Sequence, residues 1–178
     1  MPYPILDPTG ATTTAVKPRP PRARRRKDLH GATVGLLVNT KQNAAPFLDE
    51  IGRLLIARHG AKSAIARTKV NFAAPAPEDL VKEMAASCDV IITGIGDCGS
   101  CSASAVADGI AFERAGVPTA VICSDAFAVT ARAMAEVQGD ADFDFLMTSH
   151  PVAVLNPDQV AARAAELLAS VVARVSEE

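Results

Sequence analysis

Tryptophan is absent from these 178 residues, tyrosine occurs once, and aromatics together make up only 4%. A core without large rings must be filled by Ala, Val, Ile and Leu, which suits helices packed on a parallel sheet. The same scarcity leaves no platform for stacking bases, so nucleic acid is not an expected partner of the folded body. No run approaches 18 consecutive apolar residues, and a membrane-spanning helix is not expected. The N-terminus lacks the apolar stretch of a secretory signal. A cytoplasmic location is therefore expected, where thiols are normally kept reduced. Histidine and cysteine are scarce as well, at three and four residues. Four cysteines in such a setting point to redox chemistry, catalysis or a metal rather than a disulfide framework.

The net charge of -2 conceals a strong asymmetry. Residues 1–30 hold seven Lys and Arg against Asp7 and Asp28, a net of +5, so the remainder carries -7. Pro2, Pro4, Pro8, Pro18, Pro20 and Pro21 forbid a regular helix or central strand there. The pattern predicts an extended arm over 1–30 ahead of a single α/β domain over 31–178. The basic run Arg22 to Lys27 is expected to be solvated or to lie along a partner, which makes a homo-oligomer or a partner subunit the expected assembly.

From residue 32 strands and helices alternate. Thr33–Asn39, Lys62–Thr68, Asp89–Gly94, Pro118–Cys123 and Phe145–Thr148 are short apolar, β-branched-rich strand candidates. Between them, helices are predicted over Pro46–His59, closed by Gly60, and over Glu78–Ser87. A third runs from Cys98 or Ser102 to Ala115, a fourth from Phe127 to Val137, and a last one is capped by Asn156-Pro157-Asp158. This alternation means an open, three-layer, parallel five-stranded sheet, flavodoxin- or Rossmann-like, with strand order 2-1-3-4-5.

In such sheets ligands bind beyond the carboxyl ends of the strands, near the switch in strand order. Those ends lead into Asn39-Thr40-Lys41, Thr68-Lys69, Gly96-Asp97-Cys98, Cys123-Ser124-Asp125 and Ser149-His150-Pro151. Cys98-Gly99-Ser100-Cys101 has dithiol spacing, and a thiol in the first turn of a helix feels the positive helix end and free backbone N–H groups. Its partner three residues on can resolve a mixed disulfide. His150 is placed to act as general acid or base, with a bland alternative as a loop residue before Pro151. Asn39, Lys41, Gly96, Asp97, Gly99, Ser100, Ser102 and Ser124 line the same crevice as candidate substrate-binding residues. Asp97, next to the thiol, opposes thiolate formation unless its charge is compensated.

Two rival readings attach to the same residues. Cys98, Cys101, Cys123 and His150 form a possible Cys3His metal set. Gly94, Gly96 and Gly99 have dinucleotide-fingerprint spacing, but follow the third strand rather than the first, and carry a cysteine inside the turn. No cofactor is expected on the leading reading.

The run Gly94-Ile95-Gly96-Asp97-Cys98-Gly99-Ser100-Cys101-Ser102-Ala103-Ser104, followed by Asp108-Gly109 and Glu113-Arg114-Ala115-Gly116-Val117-Pro118, resembles the UGSC family. That family is named for a selenocysteine-Gly-Ser-Cys motif in which many members carry Cys at the first position. The same run is similar to the selenoprotein B component of glycine reductase and its D-proline reductase relative. The resemblance implies that Cys98 occupies the selenocysteine position as nucleophile or redox centre, with Cys101 as the resolving or assisting thiol. The expected function is a thiol-dependent enzyme, reductase- or lyase-type, acting on a small anionic organic substrate. The alternative from another class is a non-catalytic subunit whose thiols accept electrons or a small group from a partner.

Overall fold

The computed structural model describes residues 22–177. Residues 1–21 of the expected arm over 1–30 lie outside the described residues. The elements are β1 (Thr33–Val38), α1 (Ala44–His59), β2 (Ser63–Thr68), α2 (Glu78–Ser87) and β3 (Val90–Gly96), then α3 (Gly99–Arg114), β4 (Thr119–Ser124), α4 (Ala128–Val137), β5 (Leu146–Thr148) and α5 (Pro157–Val175). All neighbouring strands pair in parallel, in the order β2-β1-β3-β4-β5. The three-layer α/β reading is thereby shown.

Alternation along the strands builds the two buried faces. Leu36, Val90, Ile92, Ala120 and Ile122 pack with α1 and α5, through residues such as Phe47, Ile51 and Leu168. Leu37 and Ile91 point the other way, toward Val81 and Met84 of α2 and Phe112 of α3. Val121 and Cys123 also face that side, against Val106 and Ile110 of α3 and Ala131 of α4. A strand buried on both faces needs a continuous apolar run, which is why β3 and β4 stand out in the sequence.

Local signals set the helix ends. Gly60 closes α1 in the left-handed conformation (φ 66°), where a side chain is disfavoured. Asn156 and Gln159 form a reciprocal capping box at the start of α5, with Pro157 at the first helical position. β3 runs two residues beyond the apolar stretch, to Gly96, with a register shift against β4 between Thr93 and Gly96.

The described part of the basic segment lies on the protein's own body. Arg22 pairs with Asp140 at 3.1 Å and stacks over the Phe143 ring. Arg25 pairs with Glu113 at 2.9 Å, and Arg26 with Asp89 at 2.8 Å. Backbone pairing of Arg26 with Ser176 and Glu177, and full burial of Leu29, complete the attachment. The expectation of a solvated run from Arg22 to Lys27 is corrected for these three arginines, which pair within the chain. The acidic excess of the body supplies intramolecular partners that a linear reading cannot assign. Among the described residues no helix is long and apolar enough to cross a membrane.

Gly96 is where α3 presses on the sheet. A Cβ built there would lie 2.7 Å from both Ser102 Cα and Cys123 Sγ. Backbone on one side and a packed sulfur on the other leave nothing free to give way. Gly96→Ala is therefore expected to cost ~1–3 kcal/mol, read as a lower thermal midpoint; an unchanged midpoint would contradict the close approach.

Candidate functional site

Three strand ends meet above the sheet. β3 ends at Gly96 and delivers Asp97 and Cys98; Cys98 is the N-cap of α3 in extended conformation. β4 ends at Ser124, and the chain after β5 brings His150 across. β1, on the other side of β3, ends next to Asn39 and Lys41. The crevice at the switch in strand order lies between β1 and β3, so Asn39 and Lys41 flank one side and the thiols the other.

Cys98 and Cys101 form a disulfide, with Cα atoms 5.1 Å apart. The two sulfurs differ in surroundings. Cys98 is half-buried, whereas Cys101 is fully buried on the inner face of α3. The Cys101 amide donates to Cys98 Sγ at 3.2 Å, and the Ser100 hydroxyl lies 3.6 Å from the same sulfur. These groups, with the positive end of α3, favour negative charge on Cys98 once the disulfide is opened.

Asp97 makes its contacts with the chain after β5. Its Oδ2 accepts from the amides of Val152 (3.0 Å) and Ala153 (2.9 Å), and its Oδ1 lies 2.9 Å from His150 Nδ1. Burial opposes its ionisation, but the two amides, Ser124 and His150 outweigh that and hold the carboxyl below the usual carboxylate value. The charge expected to work against a Cys98 thiolate is thus compensated within its own cage of donors.

His150 is held from four directions. Asp97 takes Nδ1, the Ser124 hydroxyl lies 3.3 Å from the same nitrogen, Asp125 Oδ1 accepts from the His150 amide at 3.0 Å, and Phe127 packs edge-on at 5.2 Å. Both polar side-chain contacts fall on Nδ1. Ser124 is therefore not the nucleophile of a Ser-His-Asp relay, which needs opposite ring nitrogens. Its hydroxyl also donates to Gly96 O, so its role here is to join β4 to β3. An imidazole whose Nδ1–H faces a carboxylate offers Nε2 as the exchangeable site, and the ring is 35% exposed.

The remaining predicted residues divide between lining and bracing. Asn39 is buried and bridges β1 to β3, its Nδ2 donating to Ile95 O and its Oδ1 accepting from the Lys41 amide. Lys41 is half-buried, its ammonium 5.2 Å from the Phe72 ring centre. Ser102 is buried, donating to Gly99 O and meeting Thr130 Oγ1 at 2.7 Å, which ties α3 to α4. Gly99 opens α3, with only Thr130 Cγ2 near where a Cβ would stand. Cys123 is a buried free thiol that burial alone pushes up to about 12. Among the described residues no group of three or more His, Cys, Asp or Glu side chains is arranged to hold a metal ion. The Cys98–Cys101–Cys123–His150 set is accordingly not assembled as a cluster.

A family model for the UGSC family matches residues 4–177. The chain belongs to the UGSC family. No curated protein matches it. The UGSC motif residues now have separate duties. Cys98 and Cys101 are the sulfurs, and Gly96 and Asp97 place them and His150. Glu113 lies at the opposite end of α3, where it accepts from the Ala23 and Thr119 amides and pairs with Arg25. It fastens the N-terminal segment and the start of β4, far along the helix from the thiols.

Sequence reasoning placed Lys69 and Asp125 at strand ends and Asp108 in the family run, but gave Lys69 and Asp108 no role. Lys69 was visible only as the residue after β2. Asp108 follows Ser104 by four and Cys101 by seven residues, a helical stripe whose meaning depends on what packs against it. Lys69 Nζ sits 2.5 Å from Asp108 Oδ2 and 2.5 Å from Ser104 Oγ in the interior. Burial pushes the Asp108 carboxyl up, against the opposing pull of Lys69 and the Ala76 amide.

Because the Asp97 carboxyl is held below its unfolded value of about 3.9, its stabilisation is complete above that pH. It is lost as pH falls through the lower folded value. Asp97→Asn is expected to lower stability at neutral pH by about 1–3 kcal/mol and to flatten the acid limb of the curve. Denaturant midpoints measured against pH check this, and an unaltered acid limb would contradict it.

Proposed function

We propose that this UGSC family protein is a thiol-dependent enzyme of reductase type, in which Cys98 attacks a small anionic organic substrate and Cys101 resolves the adduct. The observation that carries the reading is the pairing of a half-exposed Cys98 at a helix N-terminus with a fully buried Cys101 in disulfide geometry. The exposed sulfur meets the substrate, and the buried sulfur meets only its neighbour.

The proposed step balances as follows. His150 accepts the Cys98 proton, and the thiolate displaces a leaving group from the substrate, forming a carbon–sulfur bond. His150 returns the proton to the leaving group. Cys101 then attacks the Cys98 sulfur, the carbon–sulfur bond breaks, and the carbon fragment takes the Cys101 proton. Two electrons pass from the dithiol to the substrate, and the disulfide is the oxidised product. The electron pair left on carbon delocalises into a substrate carboxylate only when that group's charge is neutralised, and Lys41 at the rim supplies the charge that binds and neutralises it.

After reduction, iodoacetamide at neutral pH is expected to modify Cys98 well before Cys88 or Cys123, both of whose thiols are pushed up by burial. Peptide mass mapping over time reads the order. Equal modification of all four cysteines, or none in the folded protein, overturns the reading. Activity that appears only when a second protein is added supports the group-accepting subunit instead.

A further inference from the structure

The reaction above leaves a fully oxidised site that must be reopened, and the buried Lys69–Asp108 pair has no part in it so far. Its side chains are 3% and 1% exposed. Removing two charges from water is costly, and a well-packed apolar pair of the same volume often serves stability as well or better. The pair also holds the chain after β2 to α3. Lys69 Nζ and Ser104 Oγ both donate to Ala74 O, at 2.8 and 2.7 Å, and the Ala76 amide donates to Asp108 Oδ1 at 2.6 Å. Hydrogen bonds from neutral side chains would do that much.

What a neutral pair would not supply is direction of charge. Cys101, Ser104 and Asp108 fall at i, i+3 and i+7 on one face of α3. Lys69 Nζ is held between Ser104 and Asp108, 2.5 Å from each. Along the helix the order is therefore Cys101, Ser104, the Lys69 cation, then the Asp108 anion. On that face Ser104, which holds the Lys69 ammonium, stands about one helical turn from Cys101, and Asp108 about two turns from it.

We propose that the Lys69 ammonium, hydrogen-bonded to Ser104 and Asp108, stabilises the Cys101 thiolate that leaves when the Cys98–Cys101 disulfide is opened by an external thiol, an effect the negative charge of Asp108 opposes rather than supplies. The inference rests on the dithiol reading above. A thiolate attacks Cys98, the accessible sulfur. A new disulfide forms to Cys98, the Cys98–Cys101 bond breaks, and its electron pair goes to Cys101. A second thiolate then attacks the external sulfur of the mixed disulfide, releasing the external disulfide and Cys98 as thiolate. Protons from the two external thiols finish on Cys98 and Cys101. The leaving sulfur is the fully buried one, and a thiolate leaves faster when its pKa is low. Burial without a cation does the opposite, as the Cys123 thiol shows.

The test is the rate at which dithiothreitol opens the disulfide in the full chain at neutral pH, followed by quenching with an alkylating agent and mass measurement. Lys69→Gln is expected to slow opening about tenfold, Lys69→Arg to keep most of the rate, and Asp108→Asn to leave it no slower. A wild-type rate in Lys69→Gln overturns the proposal. Equal slowing in Lys69→Gln and Asp108→Asn also overturns it, since a bracing role alone would weaken both alike. If the single variants do not fold, the apolar double variant K69M/D108L keeps the volume and removes both charges. Slow opening in that protein supports the proposal, and wild-type opening overturns it. Preferential iodoacetamide labelling of Cys98 in the reduced wild-type protein is read separately. Its loss sinks the dithiol reading, whereas normal labelling with an unchanged Lys69→Gln rate sinks only the role of Lys69.

Discussion

Asp97 accepts from the Val152 and Ala153 amides through one oxygen and meets His150 Nδ1 through the other, so one buried carboxylate joins the end of β3 to the chain after β5. Much of the site depends on that junction. It ties the histidine ring to the residue that precedes Cys98 and satisfies the carboxylate charge with donors of its own. It also gives the residue just before the N-cap of α3 a fixed orientation. A carboxylate can do this because it offers two acceptor oxygens with several lone pairs, and here they are taken by donors that the fold cannot move.

The second constraint is steric. α3 approaches β3 and β4 so closely at Gly96 that no side chain fits. Ser102 makes that approach, its neighbour Cys101 is fully buried, and Cys98, three residues earlier at the helix mouth, keeps part of its surface. A single helical turn therefore separates an accessible sulfur from an enclosed one. The difference between them is geometric before it is chemical, and it underlies the roles proposed for the two cysteines.

Charge is distributed in the same economical way. The acidic residues Asp89, Glu113 and Asp140 receive the arginines of the N-terminal segment. Lys69 and Asp108 answer each other inside the protein, and Asp97 answers His150. The overall charge of the chain thus says little about the site, where Asp97 and Asp108 each have a local partner whose position, rather than its sign alone, decides what it does.

The layered sheet and its strand order were legible in the sequence because each buried strand must be an uninterrupted apolar run and each crossover must be a helix with its own end signals. The thiol pair was legible for a similar reason: its spacing and its position after a strand are local properties. The attachment of Arg22, Arg25 and Arg26, the cage around Asp97 and the Lys69–Asp108 pair were not. Their partners lie 39 to 118 residues away in the chain. Which sulfur is open and which enclosed, and which carboxylate faces which cation, follow only from packing, because a contact between distant segments leaves no periodic mark in either of them.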